Sequence, residues 1–297
     1  MIDHIIDLSE EGGRLNIDLE RLAITQGEKE TFIPLAEIAV VIVSNPAVSL
    51  TQPVLSGLMK YGAVFITCDE KRMPIGMMYP LVGHHLQMER LQYQIESSLP
   101  IRKRAWQQII KAKVQAQGRL LLELYGDDRG LIPLADRVQS GDPDNVEGLA
   151  SRKYWNFLFP SEYEFRRNPE GGGINALLNY GYAVLRGITA RAIVSAGLNP
   201  SIGIHHHNRY NPFCLADDLM EPYRPIVDFA VVQFMKGKDA FVELNKEAKQ
   251  FLIQNLLKKY KMDDEERNLF DITFRTAVSL AQMFEGKRKT LILPEIV

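Results

Sequence analysis

Ile38-Ala39-Val40-Val41-Ile42-Val43 decides how the first part of this chain folds. Six apolar residues in a row, five of them β-branched, suit a strand buried on both faces. The run is also the longest apolar candidate in the chain and far too short to cross a bilayer, so no transmembrane helix is expected. Its neighbours extend the same reading. Residues 5–8 precede Gly12-Gly13, and Arg14-Leu15-Asn16-Ile17-Asp18-Leu19 alternates polar with apolar as a half-buried strand does. Strands over 22–25 and 31–33 flank Gly27 and predict a hairpin. Thr51 is expected to cap a short helix running to Lys60, and residues 63–67 return as a strand.

After Pro80 the period changes from two to that of a helix. Amphipathic stretches cover 84–96, 101–124, 146–158, 174–196, 240–260 and 264–284; Leu177, Val184, Ile188 and Ala192 recur on one face. Pro100 stands where a helix restarts in its first turn. The expected fold class is therefore α+β. A small N-terminal β domain over 1–85 precedes a larger all-helical catalytic domain over 86–297, with the boundary between residues 80 and 100. A chain of 297 residues can bury two such cores.

Composition narrows the chemistry. Asp3, His4 and Asp7 open the chain without the basic-then-apolar order of a signal peptide. Two cysteines, Cys68 and Cys214, provide no disulfide framework, and a reducing cytoplasmic setting is expected. A net charge of −2 means that a nucleic-acid partner must meet a local basic patch. Ser195 lacks a Gly-x-Ser-x-Gly setting, and neither cysteine has an activating partner in sequence, so a serine or cysteine nucleophile finds no support. Gly171-Gly172-Gly173 follows Arg166 and Arg167, which reads equally as a phosphate-contacting loop or a mobile connector. No Gly-Lys-Ser/Thr follows, which argues against nucleotide hydrolysis. Arg102-Lys103-Arg104, Lys111, Lys113 and Arg119 lie along one long helix, either as solvated surface or as a rail for phosphates.

The chemistry concentrates in Gly203-Ile204-His205-His206-His207-Asn208 and in Leu215-Ala216-Asp217-Asp218-Leu219-Met220-Glu221-Pro222-Tyr223-Arg224-Pro225. Imidazole with carboxylate and no thiolate cage suits an oxygen-loving divalent cation. Three successive imidazoles cannot all face one centre, so the triplet supplies one ligand and its neighbours. Asp217, Asp218 and Glu221 share a helical face, and their repulsion calls for solvent or a cation. The apolar flanks Phe213-Cys214-Leu215 and Ile226-Val227 favour the cation. Arg224 could neutralise a carboxylate or fork onto a phosphate. Glu147, near a helix start, is on its position alone better explained by the helix dipole; only its company points to catalysis.

Four segments together resemble the CRISPR-associated spacer-acquisition integrases of the Cas1 family. They are Glu147-Gly148-Leu149-Ala150, Asn175-Ala176-Leu177-Leu178-Asn179-Tyr180-Gly181-Tyr182, Gly197 to His206, and Leu219 to Asp228. The His-His-His-Asn run and the length are most similar to members from type II systems. Asp144-Asn145-Val146 departs from the family in lacking an arginine-glycine pair. The resemblance implies catalytic and metal-holding roles for Glu147, His206 and Glu221, with His206 matching the Gly-x-x-His position. It implies Mg²⁺ or Mn²⁺ as cofactor and support from His205, Asp218 and Arg224. Arg166, Arg167 and Lys111 are candidate DNA contacts. Also implied are a homodimer with dimerisation and partner contacts in the β domain, and a Cas2 dimer flanked by two integrase dimers. Further partners would be duplex DNA with 3′-hydroxyl ends, CRISPR repeat DNA and type II effector proteins. The implied reaction is 3′-hydroxyl transesterification that inserts short fragments beside the leader-proximal repeat, together with cleavage of branched DNA. A plain metal-dependent nuclease, a DNA-holding scaffold and a helical interaction module are the rival readings.

Overall fold

A computed structural model of the chain describes residues 4–70, 74–262 and 265–295, so Asp3 and the expected helix start at Asp264 lie outside the described residues. The chain divides into two units, Met1–His85 and Leu86–Val297.

The first unit holds β1 (His4–Leu8), β2 (Gly13–Asp18), β3 (Arg21–Gln26), β4 (Lys29–Pro34), β5 (Ile38–Val43), β6 (Val48–Leu50), α1 (Gln52–Lys60), β7 (Val64–Cys68) and β8 (Pro74–Met78). One sheet has the order β1-β5-β7-β8, with β1, β5 and β7 parallel and β8 antiparallel to β7. The β-branched run of β5 thus sits between two strands, and Ile38 to Ile42 are all buried. The other sheet, β4-β3-β2-β6, pairs Leu15 with Ile24 and Leu22 with Ile33 across antiparallel neighbours. Leu15, Leu22, Leu35, Val41, Val54 and Leu58 meet in this unit's core. Thr51 stands at the start of α1 but its side chain makes no cap bond; its carbonyl accepts the Val54 N–H at 3.0 Å instead. Pro53 explains the difference, because it removes one of the N–H groups that a capping hydroxyl binds.

The second unit comprises α2 (Gln87–Glu96), α3 (Leu99–Tyr125), α4 (Leu131–Ala135), α5 (Val146–Leu158), α6 (Ile174–Ser195), α7 (Cys214–Met220), α8 (Arg224–Met235), α9 (Lys246–Leu256), β9 (Lys259–Met262), β10 (Glu265–Asn268) and α10 (Leu269–Phe284). The expectation of an all-helical domain is corrected by the antiparallel pair β9–β10, which takes the place of the ends of two expected helices. Lys259-Tyr260-Lys261-Met262 alternates with period two, and this local pattern overrides the helical one. Side-chain caps fix the neighbouring helix starts. Asn245 accepts the Ala248 N–H at 3.0 Å, and Asn268 accepts that of Asp271 at 2.8 Å, so α9 and α10 begin later than their apolar periodicity indicates.

The 27-residue helix α3 forms the spine of this unit, packing against α4, α5, α7, α8 and the 3-10 turn Glu221–Tyr223. Trp106, Ile109, Ile110, Val114, Leu120 and Leu121 are fully buried along it. Each such aliphatic side chain contributes about 1.5–3 kcal/mol relative to exposure. Gly181 lets α6 and α8 approach closely: a Cβ there would collide with Val227.

Candidate active site

Glu147 is set by the start of α5. Asn145, at φ 49°, accepts the Gly148 N–H at 3.1 Å, while the Asp142 carboxylate accepts the N–H groups of Val146 and Glu147 at 2.9 Å each. The first turn is thereby fixed with its acid pointing toward α3. Glu221 stands where α7 gives way to the 3-10 turn, a break set by Pro222, and Pro225 lies at the start of α8.

A lysine joins the two acids. Lys113 Nζ lies 2.6 Å from Glu147 Oε1 and 2.6 Å from Glu221 Oε2. The contact with Glu221 is an ion pair without hydrogen-bond geometry, leaving buried Oε2 with no hydrogen bond. On the other oxygen, Arg224 Nε donates to Glu221 Oε1 at 2.8 Å, and its guanidinium stacks 4.7 Å from the centre of the Tyr182 ring. Burial alone would raise the Glu221 pKa, but the charges of Arg224 and Lys113 overcome it and hold the carboxyl down to about 2. Burial likewise opposes the charge on Lys113, yet Glu221 and Glu147 raise its pKa on balance. Glu221 and Lys113 are therefore both charged at neutral pH.

His206 is braced separately. Gln94 of α2 accepts the Asn199 N–H and donates to the carbonyls of Asn199 and Ile202, pinning the approach to the histidines. Gly203 follows, and a Cβ on it would collide with the His206 carbonyl. Asp218, fully buried, accepts the N–H groups of Ile204, His205 and His206 at 2.6, 2.9 and 3.2 Å. Its Oδ1 also lies 2.5 Å from His206 Nδ1. That bond turns Nε2 away from Asp218 and leaves it open to a cation, the arrangement an outer carboxylate gives a metal-bound histidine. The hydrogen bond to Asp218 raises the His206 pKa, helped by the charges of Glu221 and Glu147, against the opposing effect of burial. His205 stacks on Trp106 at 4.2 Å and 1°, and His206 meets the same indole edge-on.

The acidic cluster expected on one face is thus divided among three partners. Asp217 pairs with Arg186 at 2.6 Å and Asn211 at 2.7 Å, Asp218 holds the histidine loop, and Glu221 faces Lys113 and Arg224. Among the described residues no three His, Cys, Asp or Glu side chains stand close enough together to hold a metal, because an ammonium occupies the space between Glu147 and Glu221. The donor set nonetheless fits a hard divalent cation. Two carboxylates already hold a cation between them, and one buried carboxylate oxygen lacks a hydrogen bond.

Beside the acids lies a cleft of about 180 Å³ lined by Lys113, Gln117, Ser151, Arg167, Glu221 and Arg224. Arg167 reaches it because Asn175 and Asn179, one turn apart on α6, accept from its guanidinium at 3.0 and 2.7 Å. The same two amides bind the backbone of Arg166, Asn168 and Pro169, so the start of the glycine-rich loop is latched. Arg166 is exposed, and Lys111 pairs with Asp136 at 2.6 Å; neither lines this cleft. His206 borders a second hollow of about 340 Å³ with Arg102, His207 and Arg209.

Sequence reasoning missed Lys113 as a site residue, and it missed Gln94, Gln117, Tyr154, Tyr182 and Asp228. Trp106, Lys113 and Gln117 fall at i, i+7 and i+11, a single stripe of α3, which is the signal that could have found them. Both tyrosine hydroxyls donate to buried Asp228, whose burial raises its pKa to about 6 despite those bonds and the nearby arginines.

Comparison with known proteins bears on what this arrangement belongs to. The family model described as CRISPR associated protein Cas1 matches residues 6–261. The chain is 36% identical over 295 residues to the CRISPR-associated endonuclease Cas1 of Neisseria meningitidis serogroup C (strain 8013), covering 98% of this chain and 95% of the relative. Its fold is similar to that of a casposase bound to integration product, with a TM-score of 0.80 at 23% identity over 98% of this chain and 92% of the casposase. It is also similar to a chain of a Cas6-RT-Cas1–Cas2 complex, with a TM-score of 0.76 at 20% identity over 99% of this chain and 36% of that one. The α+β plan, the four motifs and a near full-length relative agree: the chain belongs to the Cas1 family.

Proposed function

We propose that this protein is a divalent-metal-dependent DNA integrase of CRISPR adaptation. It inserts short DNA fragments as new spacers at the leader-proximal repeat by 3′-hydroxyl transesterification, and it cuts branched DNA by the reverse reaction. One observation carries the reading: Glu147 and Glu221 converge on a single cation, Lys113 Nζ, 2.6 Å from each, beside a histidine braced by a buried aspartate. Mg²⁺ or Mn²⁺ held by Glu147, His206 and Glu221 would polarise the scissile phosphate and stabilise the leaving oxygen.

The protein's own groups do the rest. Asp218 holds the His206 ring so that Nε2 faces outward. Arg224, fixed by Glu221 and Tyr182, and Arg167, fixed by two asparagines, present guanidinium groups to phosphate oxygens in the cleft. The attacking 3′-oxygen forms a bond to phosphorus as the target's 3′-oxygen leaves, so one phosphodiester replaces another without ATP. The similarity to a casposase bound to integration product supports joining over hydrolysis alone. The Cas6-RT-Cas1–Cas2 complex supports a Cas2 partner, here a Cas2 dimer between two integrase homodimers. Type II effector proteins and a cytoplasmic setting complete the proposal. Among the described residues no helix is long and apolar enough to cross a membrane.

The test is a joining assay with the Cas2 partner, labelled duplex bearing 3′-hydroxyls, and a plasmid carrying the leader and repeat. Label enters the plasmid covalently with Mg²⁺ or Mn²⁺ and is lost with EDTA or Glu221→Gln, while the variant still binds DNA. Nicked plasmid without joined label sinks the integrase reading in favour of a nuclease. Tight binding with no covalent change favours a scaffold.

A further inference from the structure

Buried polar atoms almost always find partners, so the exceptions mark places where something else is expected to bind. Among the described residues three buried side-chain atoms lack a hydrogen bond: Arg21 Nε, Gln117 Oε1 and Glu221 Oε2. Arg21 belongs to the β unit, where it covers the Phe32 ring. The other two belong to Gln117 and Glu221, which line the same 180 Å³ cleft, and Gln117 is only 3% exposed.

The cleft's other polar groups narrow what Gln117 can meet. Lys113, Arg224 and Arg167 are cations suited to phosphate oxygens, and Asp228 is taken by two tyrosine hydroxyls. An acceptor needs a donor, and a DNA sugar–phosphate backbone has none along its length. Its phosphates, ring oxygens and ester oxygens only accept. A backbone hydroxyl appears only where a strand ends. The cleft is also smaller than the roughly 300–1,000 Å³ of pockets that enclose larger ligands, which suits a terminal sugar with its phosphate.

We infer that Gln117 Oε1 is the acceptor for the terminal 3′-hydroxyl of a DNA strand seated in this cleft. The inference rests on the integrase reading and deepens it, since that hydroxyl is the attacking group. Gln117 is a positioning residue. It holds the O–H direction and takes no proton; the proton given up by the attacking hydroxyl is balanced by the one the departing 3′-oxygen acquires. The unsatisfied carbonyl is kept at a cost in stability because the strand end completes it.

The test compares duplexes ending in a 3′-hydroxyl or a dideoxy terminus, bound to the full-length protein in Ca²⁺. The terminal base is the same in both, so any contact to base amines cancels. The wild-type protein binds the hydroxyl end about two- to tenfold more tightly, the worth of one hydrogen bond. Gln117→Met removes the preference by weakening the hydroxyl end alone, and its Tm is not lowered, because no native hydrogen bond is lost. Gln117→Glu, which keeps an acceptor, retains the preference. A preference that persists in Gln117→Met, or equal weakening of both ends, overturns the inference. Joined product in Mg²⁺, measured on the same samples, separates the two claims. Joining by the wild type with the preference unchanged in Gln117→Met defeats this inference alone. No joining and no end preference in the wild type defeats both.

Discussion

Replacing Lys113 by methionine removes the cation shared by Glu147 and Glu221 while keeping an unbranched stem in the same space. The two carboxylate oxygens each lie 2.6 Å from Nζ, so they stand at most 5.2 Å, twice that distance, from each other. Two unit charges at that separation repel by about 3 kcal/mol at an effective dielectric constant of about 20. The Glu147 side chain is 27% exposed and Arg224 still faces Glu221, so the net loss is expected at about 2 kcal/mol. For a domain of this size that lowers Tm by about 4–8 °C. The assay is calorimetric melting at pH 7 in EDTA and in Mn²⁺. In EDTA the variant melts lower; in Mn²⁺ it recovers more than the wild type gains, because the metal replaces the missing charge. The pH dependence has a definite sign. The Glu221 pKa is depressed to about 2, so its contribution is present above the ordinary value of 4.5 and is lost as pH falls toward 2. The gap between wild type and variant must close over that window. A variant that melts with the wild type in EDTA, or a deficit that neither Mn²⁺ nor acid narrows, refutes the reasoning.

Asp218→Asn sets an NH2 against either His206 Nδ1 or the Ile204 and His205 N–H groups and is expected to weaken Mn²⁺ binding about 10- to 100-fold by calorimetric titration, with the helical content unchanged. Asp228→Asn acts in the opposite direction, on stability. Burial raises the Asp228 pKa from 3.8 to about 6, so the native carboxyl loses stability as pH rises through that interval and the cost is constant above it. The variant should gain on the wild type between pH 4 and 6, by up to about 3 kcal/mol for a rise from 3.8 to about 6; denaturant melts showing no gain across this range would contradict that account.

What was legible in the sequence follows from which forces act locally. The β5 run and the hairpin at Gly27 were readable because β-branching and turn residues act within a few positions. The start of α5 was readable from Asp142-Pro143-Asp144-Asn145, in which Asp142 and Asn145 cap it. The three-residue strand β6 is too short to show a period, and its place comes from β2, far back in sequence; in β8, Pro74 and Gly76 hide the strand pattern. The acids and histidines could be picked out by residue type, but their division among Arg186, Lys113 and the histidine loop is tertiary. Lys113 and Lys111 illustrate the limit. Two residues apart on one helix, they face about 200° from each other, and one is buried between carboxylates while the other pairs with Asp136. Only the longer stripe that Lys113 shares with Trp106 and Gln117 along α3 tells them apart.

The stripe Trp106, Lys113, Gln117 gives the centre a dependence on phase. Adding or deleting one residue within that stretch turns everything beyond it by about 100° and shifts it by about 1.5 Å. A continuous helix cannot absorb such a slip as a loop can. The indole, the ammonium and the amide would part company together, although each would still be present in the sequence. For lineages derived from this chain, the spacing along α3 is therefore a heritable constraint in its own right, and changes of length are confined to the connections around it.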